Sequence, residues 1–121
     1  MNRVIKFRAW NEDSKTMLNP VDLSGPISTY EWLGKKDVAL MQYTGLKDKN
    51  GDDIYEGDIV IISYDEIYTL IPQDFIGAVE YMKDGYCVHN RNESLAFPLY
   101  HEFSEWEIIG NIYENPELLE N

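Results

Sequence analysis

Cysteine is nearly absent from this 121-residue chain: Cys87 stands alone. A single thiol excludes an internal disulfide and is the usage expected of a reducing compartment. Basic residues are scarce too, ten Lys and Arg against 22 Asp and Glu, for a net charge of −12. That balance opposes broad binding to phosphate backbones, since nucleic-acid binders gather Lys and Arg. No apolar run is long enough to span a bilayer, and polar residues interrupt every apolar run in the first thirty, so no signal peptide is expected. These absences describe a soluble cytoplasmic protein. Repeats, low-complexity tracts and linkers are also missing, which leaves one domain, 1–121. A chain of this length buries about two-thirds of its unfolded surface and needs no covalent staple.

What is present is concentrated in Met41–Val60, MQYTGLKDKNGDDIYEGDIV. Leu40–Tyr43 reads as a short strand ended by Thr44-Gly45. Asp48-Lys49-Asn50-Gly51 is a turn in which Asp and Asn side chains take nearby amides and Gly accepts positive φ. Ile54 and Tyr55 resume the apolar pattern, Gly57-Asp58 turns again, and Ile59–Ile62 runs unbroken, as in a strand covered on both faces. A Gly-Asp turn feeding such a run suits a small SH3-like barrel. The same stretch offers a calcium-loop reading, with Asp48, Asn50 and Asp52 at alternate positions. It fails where the loop needs Gly, which is Asp53, and a bidentate Glu, which is Ile59.

The stretch resembles the YopX family, small proteins of bacteriophages and prophages. Gln42-Tyr43-Thr44-Gly45-Leu46, Asp48, Gly51 and Ile54-Tyr55-Glu56-Gly57-Asp58-Ile59 carry the likeness. Lys6-Phe7-Arg8-Ala9-Trp10 and Ile109-Gly110-Asn111-Ile112-Tyr113-Glu114-Asn115-Pro116 extend it to both ends of the chain. The resemblance implies a mainly β fold, a partly open barrel and a phage or prophage origin. It brings no activity and no catalytic residues.

The rest of the chain reads as strands joined by turns. Val4–Trp10 alternates, with Ile5, Phe7 and Ala9 on one face and Lys6, Arg8 and Trp10 on the other. Trp10 either covers a second small cluster or offers a contact. Thr16–Leu18 and Val21–Leu23 return, and Pro20 confines them to an edge. Ser28–Glu31 fits a capping box for a short helix closed by Gly34. Ile76–His89 is a hairpin turning at Asp84-Gly85. Leu95–Tyr100, carrying Pro98, is a second edge strand, and Glu105–Tyr113 is the last strand. Asn115-Pro116-Glu117 starts a terminal turn with Asn as cap and Leu118 and Leu119 pinning it. The expectation is a mainly β, small, partly open SH3-like pseudo-barrel with one or two short helices.

Motifs for chemistry are mostly missing: no phosphate loop, no dinucleotide fingerprint, no nucleophile elbow and no zincin helix. Cys87 and His89 share a strand face and, with His101, offer three metal ligands without a fourth His or Cys. A Cys–His nucleophile pair lacks an orienting third group. Glu105 and Glu107 share a face in a solvated acidic tail. The expectation is therefore no catalytic residue, no metal and no cofactor. Function is expected to be binding to a protein, host or phage, or self-association, through the apolar segment Tyr64, Ile67, Tyr68, Leu70 and Ile71. That segment is either a flap over the barrel or a contact. The alternative is a nucleic-acid-binding face of Arg3, Lys6, Arg8 and Trp10. A weaker one is an acidic, DNA-mimicking inhibitor of a host protein. The first eight residues carry +3 and residues 101–121 carry −6, so the two ends are expected to lie against each other or against copies.

Overall fold

The computed structural model describes residues 5–19, 37–65, 71–83, 85–100 and 104–120. Nine strands run through them: β1 Phe7–Asn11, β2 Thr16–Leu18, β3 Val38–Lys47, β4 Asp53–Tyr55, β5 Asp58–Asp65, β6 Ile76–Met82, β7 Gly85–Asn90, β8 Leu95–Pro98 and β9 Ser104–Asn111. They pair antiparallel into two sheets, in the orders β2-β1-β3-β4 and β8-β7-β6-β5-β9. The fold is a mainly β, partly open barrel. A 3₁₀ turn, Pro116–Leu119, follows the last strand. Val21–Leu23 and the helix expected from Ser28 lie outside the described residues.

The central stretch joins the sheets. It supplies β3 and β4 to one and β5 to the other, with Glu56 and Gly57 between. Gly57 sits at φ +85°. Its amide donates to the Val79 carbonyl and its carbonyl accepts from the Ile112 amide, each at 2.9 Å. The turn therefore spends its backbone groups on the neighbouring sheet rather than on water, as buried peptide groups require.

The core lies on the inner face of the five-stranded sheet. Val60, Val79, Val88 and Trp106 contribute from it, with Phe75, Leu99 and Ile54 of β4 closing over them. Phase-two alternation along β6, β7 and β9 supplies these residues. Phe75 meets Phe97 and Trp106 edge-on, centroids at 4.9 and 6.3 Å, an arrangement aromatic quadrupoles favour. Both proline-bearing or proline-flanked strands, β2 and β8, take sheet edges as expected.

Four local expectations change. Gly45 does not end its strand: β3 continues to Lys47 through an irregularity between Tyr43 and Lys47, where Gly45 at φ +88° makes a bulge. The β6–β7 hairpin turns one residue earlier than the Asp-Gly signal, because Met82 already pairs with Gly85. Asn115 holds the N-cap position of the terminal turn, with Pro116 and Glu117 following as expected, but its side chain makes no cap bond; its Oδ1 accepts from the Asn111 amide at 3.2 Å. Lys6 and Arg8 pair with Asp53 and Asp58 of the central stretch rather than with a described acid of the tail, although the two ends do meet where Trp10 stacks on Tyr113.

Candidate interaction surfaces

The face of Lys6, Arg8 and Trp10 is turned inward. The Lys6 ammonium lies 2.6 Å from Asp53 and 4.7 Å from the centre of the Tyr43 ring. Arg8 donates to Asp58 Oδ1 at 2.7 Å and stands 4.8 Å from the centre of the Tyr55 ring. Trp10 is buried, stacked on Tyr113 at 5.7 Å, and donates its indole N–H to Glu12. Cation–π contact and ion pairing explain how a face polar in sequence is covered in the fold. Arg3 lies outside the described residues.

The charges on this face shift in both directions. Hydrogen bonds from Lys47 and Lys6 hold the Asp53 carboxyl below its ordinary value. The same Asp53 bonds raise both lysines. Asp58 goes the other way. Burial pushes it up, and the Arg8 charge and the Tyr55 amide only partly offset that.

Asp48, first in the rejected calcium pattern, is a turn pin. It is buried; its Oδ1 accepts the Asn50 and Asp52 amides at 2.9 and 3.0 Å, and its Oδ2 accepts the Ile108 amide of β9 at 3.1 Å. No cluster of three or more His, Cys, Asp or Glu among the described residues is placed to hold a metal ion. The Cys87 thiol is buried, and burial followed by the Glu80 charge pushes it up, away from the thiolate a nucleophile needs. His101 lies outside the described residues. Glu107 faces Lys49 at 3.5 Å, while Glu105 is exposed.

Of the apolar segment, Tyr64 belongs to β5, its backbone paired with Glu105, and Ile71 packs half-buried against the core. Ile67, Tyr68 and Leu70 lie outside the described residues. One cleft was not read from the sequence. A cavity of about 500 Å³ opens between β6, β7 and the 3₁₀ turn, with Ala78, Val79, Ile112 and Leu119 among its walls. On its rim His89 Nδ1 lies 3.0 Å from Glu80, and Arg91 lies 3.5 Å from the same carboxylate. The signal for this pair was available. A turn that pairs Met82 with Gly85 puts Glu80 opposite Cys87 and diagonal to His89.

The model of the family described as YopX protein matches residues 22–120. The chain belongs to the YopX family. Among solved structures, this YopX-family chain is similar to protein EF1440 from Enterococcus faecalis, with 28% identity, a TM-score of 0.61, and coverage of 98% of this chain and 100% of that one. It also shares the fold of protein YopX from Bacillus subtilis, at 18% identity and a TM-score of 0.51, covering 95% and 98% of the two chains. No curated protein matches it. No helix among the described residues is long and apolar enough to cross a membrane.

The motif residues that carried the family likeness are those now seen building the fold. Arg8 and Asp58 bridge the sheets, Glu56 accepts the Gln42 amide at 2.7 Å, and Thr44 donates to the Ile54 carbonyl. Near the end, Asn111 Oδ1 accepts the Tyr113 and Glu114 amides.

Proposed function

We propose that this YopX-family chain is a non-enzymatic binding module of phage or prophage origin. It acts in the bacterial cytoplasm without a cofactor, by contacting a host or phage protein or further copies of itself. One observation carries the reading: the polar side chains of the family pattern are spent on the fold. Asp48, Glu56, Asp58 and Arg8 each take a turn amide, a strand amide or an intersheet ion pair. Groups held this way position backbone rather than meet a substrate, which leaves the surface as the working part.

The nucleic-acid alternative loses support for the same reason, since Lys6 and Arg8 are already paired with Asp53 and Asp58. A tagged pull-down from host lysate, with and without nuclease, tests the reading. A single protein recovered in both samples, and bound again after purification, supports it. Recovery that disappears with nuclease overturns it in favour of nucleic acid.

A further inference from the structure

We propose that Asn50-Gly51 is a site at which the chain modifies itself, losing ammonia through a cyclic imide to give aspartyl and isoaspartyl forms of the central turn. Asparagine is a thermolabile residue, and the fold singles this one out. Asn50 and Gly51 are exposed in the turn between β3 and β4. Among the described residues the Asn50 carboxamide makes no hydrogen bond, and the group engaged is its backbone amide, which donates to Asp48 Oδ1. The carboxamides of Asn11, Asn90, Asn92, Asn111 and Asn115 are each held by a bond, and a residue with a side chain follows each of them. Asn50 is followed by glycine, at φ +85° with nothing within 4 Å of where a Cβ would stand. Nothing therefore crowds the attacking nitrogen.

The Gly51 nitrogen attacks Asn50 Cγ and forms an N–C bond. Its proton passes to solvent, and the carboxamide nitrogen takes up a proton and leaves as ammonia, which closes a succinimide. Water then adds at either imide carbonyl. Breaking one C–N bond gives aspartate; breaking the other gives isoaspartate, whose backbone runs through the side chain. The closed turn slows the first step. Gly51 donates its N–H to the Asp48 carbonyl at 3.0 Å, and that is the proton which has to leave, so attack waits for a local opening of the turn. The two products differ in consequence. Aspartate keeps the backbone, and the carboxamide it replaces held nothing. Isoaspartate adds a carbon to the backbone between Asp48 and Asp52, where the Asn50 and Asp52 amides share Asp48 Oδ1 at 2.9 and 3.0 Å. The other Asp48 oxygen holds the Ile108 amide, and the Lys49 amide donates to the Trp106 carbonyl. The isoaspartyl form therefore loosens the grip of the turn on β9.

The intact protein and a synthetic peptide of residues 46–55 can be aged at neutral and mildly alkaline pH, mapped by mass spectrometry and assayed with an isoaspartyl methyltransferase. The expected result is conversion at Asn50 ahead of the other asparagines, faster at the higher pH. Its rate should be about tenfold below that of the peptide, the worth of one backbone hydrogen bond. Asn50→Gln, an exposed substitution, should abolish the methyltransferase signal. Conversion at Asn50 no faster than at Asn92, none while the peptide is consumed, or an isoaspartyl signal that survives Asn50→Gln overturns the site. A rate equal to that of the peptide overturns the restraint by the turn. The separated aged forms and Asn50→Asp are then compared by amide hydrogen exchange. Exchange at Ile108 should be about tenfold faster in the isoaspartyl form, the loss of one charge-assisted bond, and unchanged in Asn50→Asp. Equal protection of Ile108 in both overturns the coupling to β9.

Discussion

At the scale of single residues, the buried charges decide most. Arg8 and Asp58 have side-chain exposures of 12% and 3%, so neither is hydrated when the other is lost. Asp58→Ala leaves Arg8 uncompensated and the Tyr55 amide without its acceptor. A cost of about 3–5 kcal/mol is expected in urea denaturation. Asp48→Asn tests a subtler point. The amide side chain keeps one oxygen for the turn but turns an N–H₂ toward the Ile108 amide, and a loss of about 1.5–3 kcal/mol follows. Asp53 governs part of the acid limb. Its folded value is depressed by Lys47 and Lys6, so its contribution is present above the ordinary carboxylate pKa and is lost as pH falls through the folded one. Asp53→Asn should therefore flatten the fall in stability on acidification below the ordinary carboxylate range. The effect is under about 1 kcal/mol because the pair is partly hydrated. Asp58 has the opposite sign. Burial raises it, so its contribution is full below the ordinary value and declines as pH rises through the raised one.

At the scale of elements, two glycines do different work. Gly45 lies at φ +88° with nothing within 4 Å of an added Cβ, whereas a Cβ on Gly77 would stand 2.8 Å from Val88 and 2.9 Å from the His89 carbonyl. Gly45→Ala should cost about 1–2 kcal/mol through torsion alone, and Gly45→Asn less, since Asn tolerates that region. Gly77→Ala should cost about 1–3 kcal/mol through crowding. A double-mutant cycle of Gly77→Ala with Val88→Ala, read by thermal melts, should show coupling between the two, while no neighbour couples to Gly45→Ala. The double variant should still be less stable than the parent, because the His89 carbonyl crowds the added Cβ and Val88 is a core side chain. These positions also show what the sequence could tell. Alternation located the strands, and Pro98 put β8 at an edge, because both signals are local. Gly45 was misread because a glycine in a bulge and one ending a strand look alike until the partner strand is known. The face of Lys6, Arg8 and Trp10 was separated correctly from that of Phe7 and Ala9. Packing of Trp10 was one of the two readings offered and is the one seen, but the burial of Lys6 and Arg8 was not legible, since their covering groups, Asp53, Tyr55 and Asp58, lie about fifty positions away. The candidate site fared worse still: the Glu80–His89 pair follows from hairpin register, but its cavity needs Ile112 and Leu119 from the far end of the chain.

At the scale of the whole molecule, the two sheets are expected to unfold together. Lys49 and Gly57 exchange backbone bonds with Trp106, Val79 and Ile112 across the gap. Trp10 reports on the four-stranded sheet and Trp106 on the five-stranded one. Single-tryptophan variants retaining one or the other should give coincident denaturation midpoints, and separated midpoints would show that the sheets are independent units. The pairing of β5 with β9 carries a further consequence, for the order in which the chain is made. Synthesis delivers β5 early, yet one of its two neighbours is the last strand, and the second oxygen of Asp48 waits for the amide of Ile108. A nascent chain therefore emerges with its central strand half-partnered, and the ribosome must release residue 108 before the turn that organises the fold can close.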